Sequence, residues 1–197
     1  MQYEIEIKSL LGGSEKADEL EQKMRQLDPD FKKLRQHTQL NHYFEGGDLS
    51  ALYKAIRKYL PEDQAEQLKW IAKHSKDYSL RTRSQDKEIF LVVKASVDDT
   101  SSANGTARME FEQRTPRLTL DQLDQLILDA GFNYQAKWSR ARVEYEYKNT
   151  AVMIDKNAGY GYLAEFEKVE ADPDKAEASK QELRNLMKEL GAEELEQ

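Results

Sequence analysis

Seven short segments of this chain put charged side chains on one parity and apolar side chains on the other. Residues two apart in a strand share a face, so the pattern dictates strands with one ionic and one apolar side. Tyr3, Ile5 and Ile7 oppose Glu4, Glu6 and Lys8. Leu80 and Thr82 oppose Arg81 and Arg83, and Leu91 and Val93 oppose Lys94. Met109 and Phe111 oppose Arg108, Glu110 and Glu112, while Ala141 and Val143 oppose Arg140 and Arg142. Ile154 opposes Asp155, and Ala164 and Phe166 oppose Glu165 and Glu167.

One such strand is most simply an antiparallel strand with one solvated face. Seven together need more. Solvated faces mix in Ser, Thr, Gln and Asn, whereas these offer little but full charges. Among the residues just named the signs also come as doublets, Glu-x-Glu three times and Arg-x-Arg twice. Like charges on one face repel and need an opposing partner or a ligand. A sheet closed into a barrel answers both points, with apolar faces turned out under helices and ionic faces lining the interior. An eight-stranded barrel has room for side chains and one small ligand. The cations Lys8, Arg81, Arg83, Lys94, Arg140 and Arg142 suit a polyphosphate. The carboxylates suit Mg²⁺ or Mn²⁺, hard ions that prefer oxygen ligands.

The remaining punctuation predicts an α+β chain of about eight strands and five helices. Strands are expected at Tyr3–Lys8, Gln39–Glu45, Tyr78–Ser84, Glu88–Ala95, Ala107–Arg114, Lys137–Tyr147, Ala151–Lys156 and Tyr160–Val169. Ser14 is expected to cap a first helix that runs to about Leu27. Pro61 splits Asp48–His74 into two helices, and Leu52, Ile56, Leu68 and Ile71 read as their core contacts. Asp98–Gly105 reads as a polar loop. Thr119 caps a helix closed by Gly131. A last helix, Asp174–Leu190, carries Leu183, Leu186, Met187 and Leu190, a stripe for the barrel or for a homodimer face. Residues 1–197 read as one domain with a helical insertion at about 48–76, which either packs on the barrel wall, the favoured reading, or caps one mouth. Trp70 and Trp138 read as wall residues, and His42 as structural.

Composition narrows the chemistry. No cysteine is present, so disulfide scaffolds, thiolate metal sites and cysteine nucleophiles drop out. Three scattered histidines do not make a zinc site. A net charge of −7 argues against a nucleic-acid partner. No run approaches the roughly 20 apolar residues of a membrane span, and the charged N-terminus reads as no signal peptide, so the expected location is cytoplasmic.

The ordered set resembles the CYTH family, also called the triphosphate tunnel metalloenzymes. It comprises Glu4-x-Glu6-x-Lys8, Leu80-Arg81-x-Arg83, Lys94, Arg108-x-Glu110-x-Glu112, Arg140-x-Arg142 with Tyr145, Asp155, and Gly159-x-Gly161 followed by Glu165-x-Glu167. Class IV adenylyl cyclases, thiamine triphosphatases and inorganic triphosphatases belong to that family. The resemblance implies an eight-stranded antiparallel tunnel. It implies that Lys8, Arg81, Arg83, Lys94, Arg140 and Arg142 grip a triphosphate, with Arg108 beside them. Glu4, Glu6, Asp155, Glu165 and Glu167 would hold one or two divalent metals, and Glu110 and Glu112 a second metal or the attacking water. Glu4, Glu6, Lys8, Glu110 and Glu112 are thus the expected catalytic set. Three features depart from the family pattern. Arg140 stands where a lysine is common, Tyr43-Phe44-Glu45-Gly46 replaces Tyr-Phe-Asp-Thr, and the Asp48–His74 helices exceed the usual link.

The leading expectation is a metal-dependent triphosphatase acting on tripolyphosphate or a nucleoside triphosphate. The alternative is a class IV-type adenylyl cyclase making cyclic AMP and pyrophosphate in the same tunnel, though no adenine motif is legible. A tunnel that only binds polyphosphate is the third reading.

Overall fold

The computed structural model describes residues 3–96 and 108–195. The Asp98–Gly105 loop and the first residue of the expected Ala107–Arg114 strand lie outside these. Eight strands are described: β1 (Tyr3–Gly12), β2 (Lys32–Gly46), β3 (Asp77–Gln85), β4 (Glu88–Ser96), β5 (Arg108–Arg114), β6 (Phe132–Tyr147), β7 (Thr150–Asn157) and β8 (Gly161–Glu170). Their order, β1-β5-β4-β3-β2-β6-β7-β8, closes on itself as β8 pairs antiparallel with β1. Among the described residues, five α-helices accompany them: α1 (Ser14–Leu27), α2 (Leu49–Ile56), α3 (Glu62–His74), α4 (Leu120–Asp129) and α5 (Ala176–Leu190). The α+β class and the closed antiparallel sheet of eight strands therefore stand as expected.

The chain forms two compact units, residues 1–38 with 139–197, and residues 39–138. In the first, α1 and α5 pack on β1 and β8. Ile5, Ile7, Leu20, Met24, Phe166, Leu183 and Met187 are buried there. The stripe on α5 is thus turned into its own unit. In the second, Leu52, Ile56, Leu68 and Ile71 of α2 and α3 join Leu80, Leu91, Val93, Met109 and Phe111 in one apolar cluster. The 48–76 helices cover the apolar face of β3, β4 and β5, as a wall would.

Two strands start earlier than expected. β2 begins seven residues before the expected Gln39, and β6 five before Lys137. The early stretch of β2 is largely exposed and polar, so cross-strand pairing rather than periodicity makes it a strand, whereas the early stretch of β6, residues 132–136, does alternate apolar and polar residues. Ser14 is already helical; Gly13 occupies the cap without a side-chain bond. Thr119 does cap α4, in a reciprocal capping box with Gln122. The last helix begins at Ala176, after a short 3₁₀ turn at Pro173–Lys175. Trp70 packs beside the apolar cluster, but Trp138 is 44% exposed and forms no wall.

Candidate functional site

Register decides which charges meet. In the first unit Lys8 stands opposite Glu165, Glu6 opposite Glu167, and Arg142 opposite Asp155. Asp155 is fully buried, and Arg142 and Glu165 are each 8% exposed. Arg142 clasps Asp155 with two parallel bonds, Nε to Oδ1 and Nη2 to Oδ2, both 2.7 Å. The same Nη2 also donates to Glu165. Arg140 Nη1 donates to Asp155 Oδ2 at 2.7 Å and lies 3.6 Å from Glu165 Oε1. Lys8 Nζ donates to Glu6 at 2.9 Å and lies 3.9 Å from Glu165.

Electrostatics follow from this packing. Burial opposes the charge on Glu165, but Arg142, Arg140 and Lys8 outweigh it and lower its pKa from 4.5 to about 2. Burial likewise opposes the charge on Arg142, and Glu165 with Asp155 more than restores it. Glu4 is buried on the same parity as Glu6. Tyr145, the tyrosine of the motif, points the other way: its hydroxyl donates to Glu21 of α1 at 2.7 Å.

The second unit builds a matching ionic face. Asn41 stands opposite Arg83, and Tyr43 opposite Arg81. Lys94 stands opposite Glu110. Arg83 is 6% exposed and donates from Nε to Asn41 Oδ1 at 3.1 Å and from Nη1 to Glu112 Oε2 at 2.8 Å. Arg81 donates to the Tyr43 hydroxyl at 3.2 Å and lies 3.6 Å from Glu110, which is 4.0 Å from Lys94. Burial works against the Arg81 charge, yet Tyr43 and Glu110 keep its pKa above the usual range. Arg108 departs from this cluster and donates to Asp77 at 3.2 Å.

Within each unit, then, most predicted site residues meet: Glu6, Lys8, Arg140, Arg142, Asp155 and Glu165 in the first, and Arg81, Arg83, Lys94, Glu110 and Glu112 in the second. Asn41 and Tyr43 were not anticipated, although their parity with the charged residues of the next strand could have revealed them. The donor set fits a divalent ion in kind. All its acids are hard oxygen donors, and Glu6 faces Glu167 across the ladder, a repulsion that a cation relieves. Among the described residues no three acids are gathered at ligand spacing. Asp155 and Glu165 are engaged by arginines, so an ion there competes with Arg140 and Arg142.

Comparison with solved structures agrees with this fold. The chain resembles the PH1819 protein of Pyrococcus horikoshii OT3 in structure, with a TM-score of 0.68 at 22% identity, covering 98% of this chain and 93% of that one. A putative adenylate cyclase from Vibrio parahaemolyticus gives 0.65 at 12% identity over 100% and 94%. A putative adenylyl cyclase from Hippeastrum, described as having a dominant triphosphatase activity, gives 0.53 at 18% over 98% and 90%. No curated protein matches by sequence. The profile of the CYTH domain matches residues 62–197 and leaves Glu4, Glu6 and Lys8 outside the match. With over half its length matched, the chain belongs to the CYTH domain family.

Proposed function

We propose that this protein is a divalent-metal-dependent triphosphatase, with residues 1–197 acting as one tunnel domain. The observation that carries the reading is the state of its four paired arginines. Arg81, Arg83, Arg140 and Arg142 lie on ionic sheet faces, are mostly buried, and are oriented by carboxylates at fixed distances. Such guanidinium forks match phosphate oxygens in geometry and charge. The triphosphatase activity ascribed to the Hippeastrum relative favours hydrolysis.

In this reading Lys8, Arg81, Arg83, Lys94, Arg140 and Arg142 bind and straighten the phosphate chain. Glu4, Glu6, Asp155, Glu165 and Glu167 would hold Mg²⁺ or Mn²⁺, which would supply neutralisation of phosphate charge. Water attacks the terminal phosphorus, the bridging P–O bond breaks toward the leaving phosphate, and the water proton passes to a carboxylate. Glu110 is the better acceptor of the two acids on β5, because Glu112 is tied to Arg83 at 2.8 Å whereas Glu110 has no cation closer than 3.6 Å among the contacts described. Catalysis rests on positioning and electrostatics without a covalent intermediate. Among the described residues no helix is long and apolar enough to cross a membrane, and we place the enzyme in the cytoplasm, acting on a small molecule rather than nucleic acid.

The Vibrio and Hippeastrum relatives are both called putative adenylate or adenylyl cyclases, which favours a second reading in which ATP is cyclised. Incubation with tripolyphosphate or ATP and Mn²⁺ separates the two. Orthophosphate release supports hydrolysis. Cyclic AMP with pyrophosphate from ATP, and inertness toward tripolyphosphate, overturns it.

A further inference from the structure

Behind the arginine-bearing face of β3 lies a buried polar cluster that the proposed chemistry does not use. Asp124 of α4 is 2% exposed. Its Oδ1 accepts from Thr82 Oγ1 at 2.7 Å, and its Oδ2 accepts from the Tyr134 hydroxyl at 2.8 Å. Oδ2 also lies 2.6 Å from His42 Nδ1. The helix otherwise turns Leu123 and Ile127 into the apolar cluster. A leucine would serve that packing, whereas a buried carboxylate requires every partner it has.

The partners occupy particular places. His42 and Thr82 are register partners. Thr82 sits between Arg81 and Arg83, and His42 between Asn41 and Tyr43. The flanking register pairs, Asn41 with Arg83 and Tyr43 with Arg81, are also hydrogen-bonded pairs on the opposite face. One carboxylate therefore holds the middle rung of a three-rung ladder whose outer rungs orient the two guanidinium groups. Because side chains alternate, a slip or splay at the middle rung moves both outer rungs together. Multiple hydrogen bonds within a buried network make that rung rigid.

We propose that Asp124 is a positioning residue for the Arg81 and Arg83 grip, acting through Thr82 and His42. The inference rests on the triphosphatase reading for its kinetic consequence, but not for its structural one. The consequence for binding is a KM effect, since the arginines hold ground state and transition state alike.

The test compares wild type with Asp124→Asn and Thr82→Val, the second being close to isosteric and on the face of β3 away from Arg81 and Arg83. Turnover of inorganic tripolyphosphate is measured together with the ¹⁵N NMR signals of the arginine Nε–H groups. Both variants should raise KM about tenfold, short of the roughly 100-fold that a 1 Å misplacement produces, with a smaller change in kcat. The Arg83 Nε–H signal should broaden or exchange faster with water. A lowered melting temperature with KM and the Arg83 signal unchanged overturns the proposal and leaves Asp124 a stabilising residue only. If Asp124→Asn does not fold, Thr82→Val alone decides. If the wild type is inert toward tripolyphosphate while the variants still loosen Arg83, the positioning role holds and the triphosphatase reading falls.

Discussion

Removing the arginine that joins two buried acids should unfold the protein more readily than any surface change, and by an amount the contacts set. Arg142→Met deletes two bonds to Asp155 and one to Glu165 while keeping most of the side-chain volume. Breaking a buried ion pair on one side typically costs about 3–5 kcal/mol, because the remaining charge is stranded. The state of Glu165 agrees in direction: burial opposes its charge, yet Arg142 first, with Arg140 and Lys8, holds its pKa well below 4.5. Arg140 still reaches Asp155 at 2.7 Å, so the lower end of the range applies, about 3 kcal/mol. Urea unfolding in chelator-treated buffer measures it. The pH dependence has a definite sign. In the wild type the folded pKa of Glu165 is depressed, so its contribution is complete above 4.5 and fades as pH falls toward 2. The gap between the two proteins must therefore narrow with acidification. A loss below about 1 kcal/mol, or a gap that stays constant as pH falls from 4.5 toward 2, refutes the assignment of this cluster as a mutually stabilising one. Adding Asp155→Leu to Arg142→Met should restore much of the stability without restoring turnover.

Two further predictions concern the frame around the site. Gly161 has φ +82°, and a Cβ there would lie 2.2 Å from the Gly12 carbonyl oxygen; Gly161→Ala should cost about 2 kcal/mol or more by denaturant unfolding, and an unchanged midpoint would show that the β1–β8 end opens freely. Tyr145→Phe deletes the 2.7 Å bond to Glu21 and should cost about 1 kcal/mol at neutral pH. Burial first, and then Glu21, raise the pKa of that phenol. Its contribution is therefore complete below the ordinary value of 10 and lost as pH rises above it, so the difference in melting temperature should shrink in alkali, and a constant difference across pH 7–11 contradicts it.

Alternation made the faces legible because each strand is apolar on the side that helices cover. The doublets Arg81/Arg83 and Arg140/Arg142 fell on the ionic parity for that reason alone, as did Glu6 and Lys8. The early half of β2, Lys-Lys-Leu-Arg-Gln-His-Thr, carries no apolar parity, so nothing local marks it as a strand. Which charges meet is a matter of register, and register depends on turns. The β3–β4 and β6–β7 turns place Asp86, Lys87, Lys148 and Asn149 at positive φ, without the Asn-Gly or Asp-Gly pairs that announce such turns. Pairings such as Arg142 with Asp155 could not be counted off beforehand. Asp124 did leave a signal: it follows Leu120 by four and precedes Ile127 by three, which sets an acid on the packed stripe of its helix. Gly161, read as part of a motif, has a local cause in its approach to Gly12.

The site as built has its arginines already engaged. Arg83 holds Glu112, and Arg142 holds Asp155 and Glu165. A triphosphate entering such a site must exchange with carboxylates rather than fill open valences, and its affinity is a difference between two sets of charge-assisted bonds. The acid thus tunes the grip downward while fixing its direction. Glu112→Gln tests this: Glu112 contacts Arg83 at 2.8 Å from a partly solvated position, so the neutral amide keeps the shape and gives up the competing charge. Calorimetry with tripolyphosphate in metal-free buffer should then show binding tighter by about threefold to tenfold, the equivalent of about 1 kcal/mol for a pair with one partly solvated partner. Turnover should nonetheless fall, because the acid no longer fixes Arg83 or helps neutralise its charge between catalytic cycles. Weaker metal-free binding would mean that Glu112 orients Arg83 more than it competes for it, and that the ionic face acts as a preformed receptor instead of an exchanger.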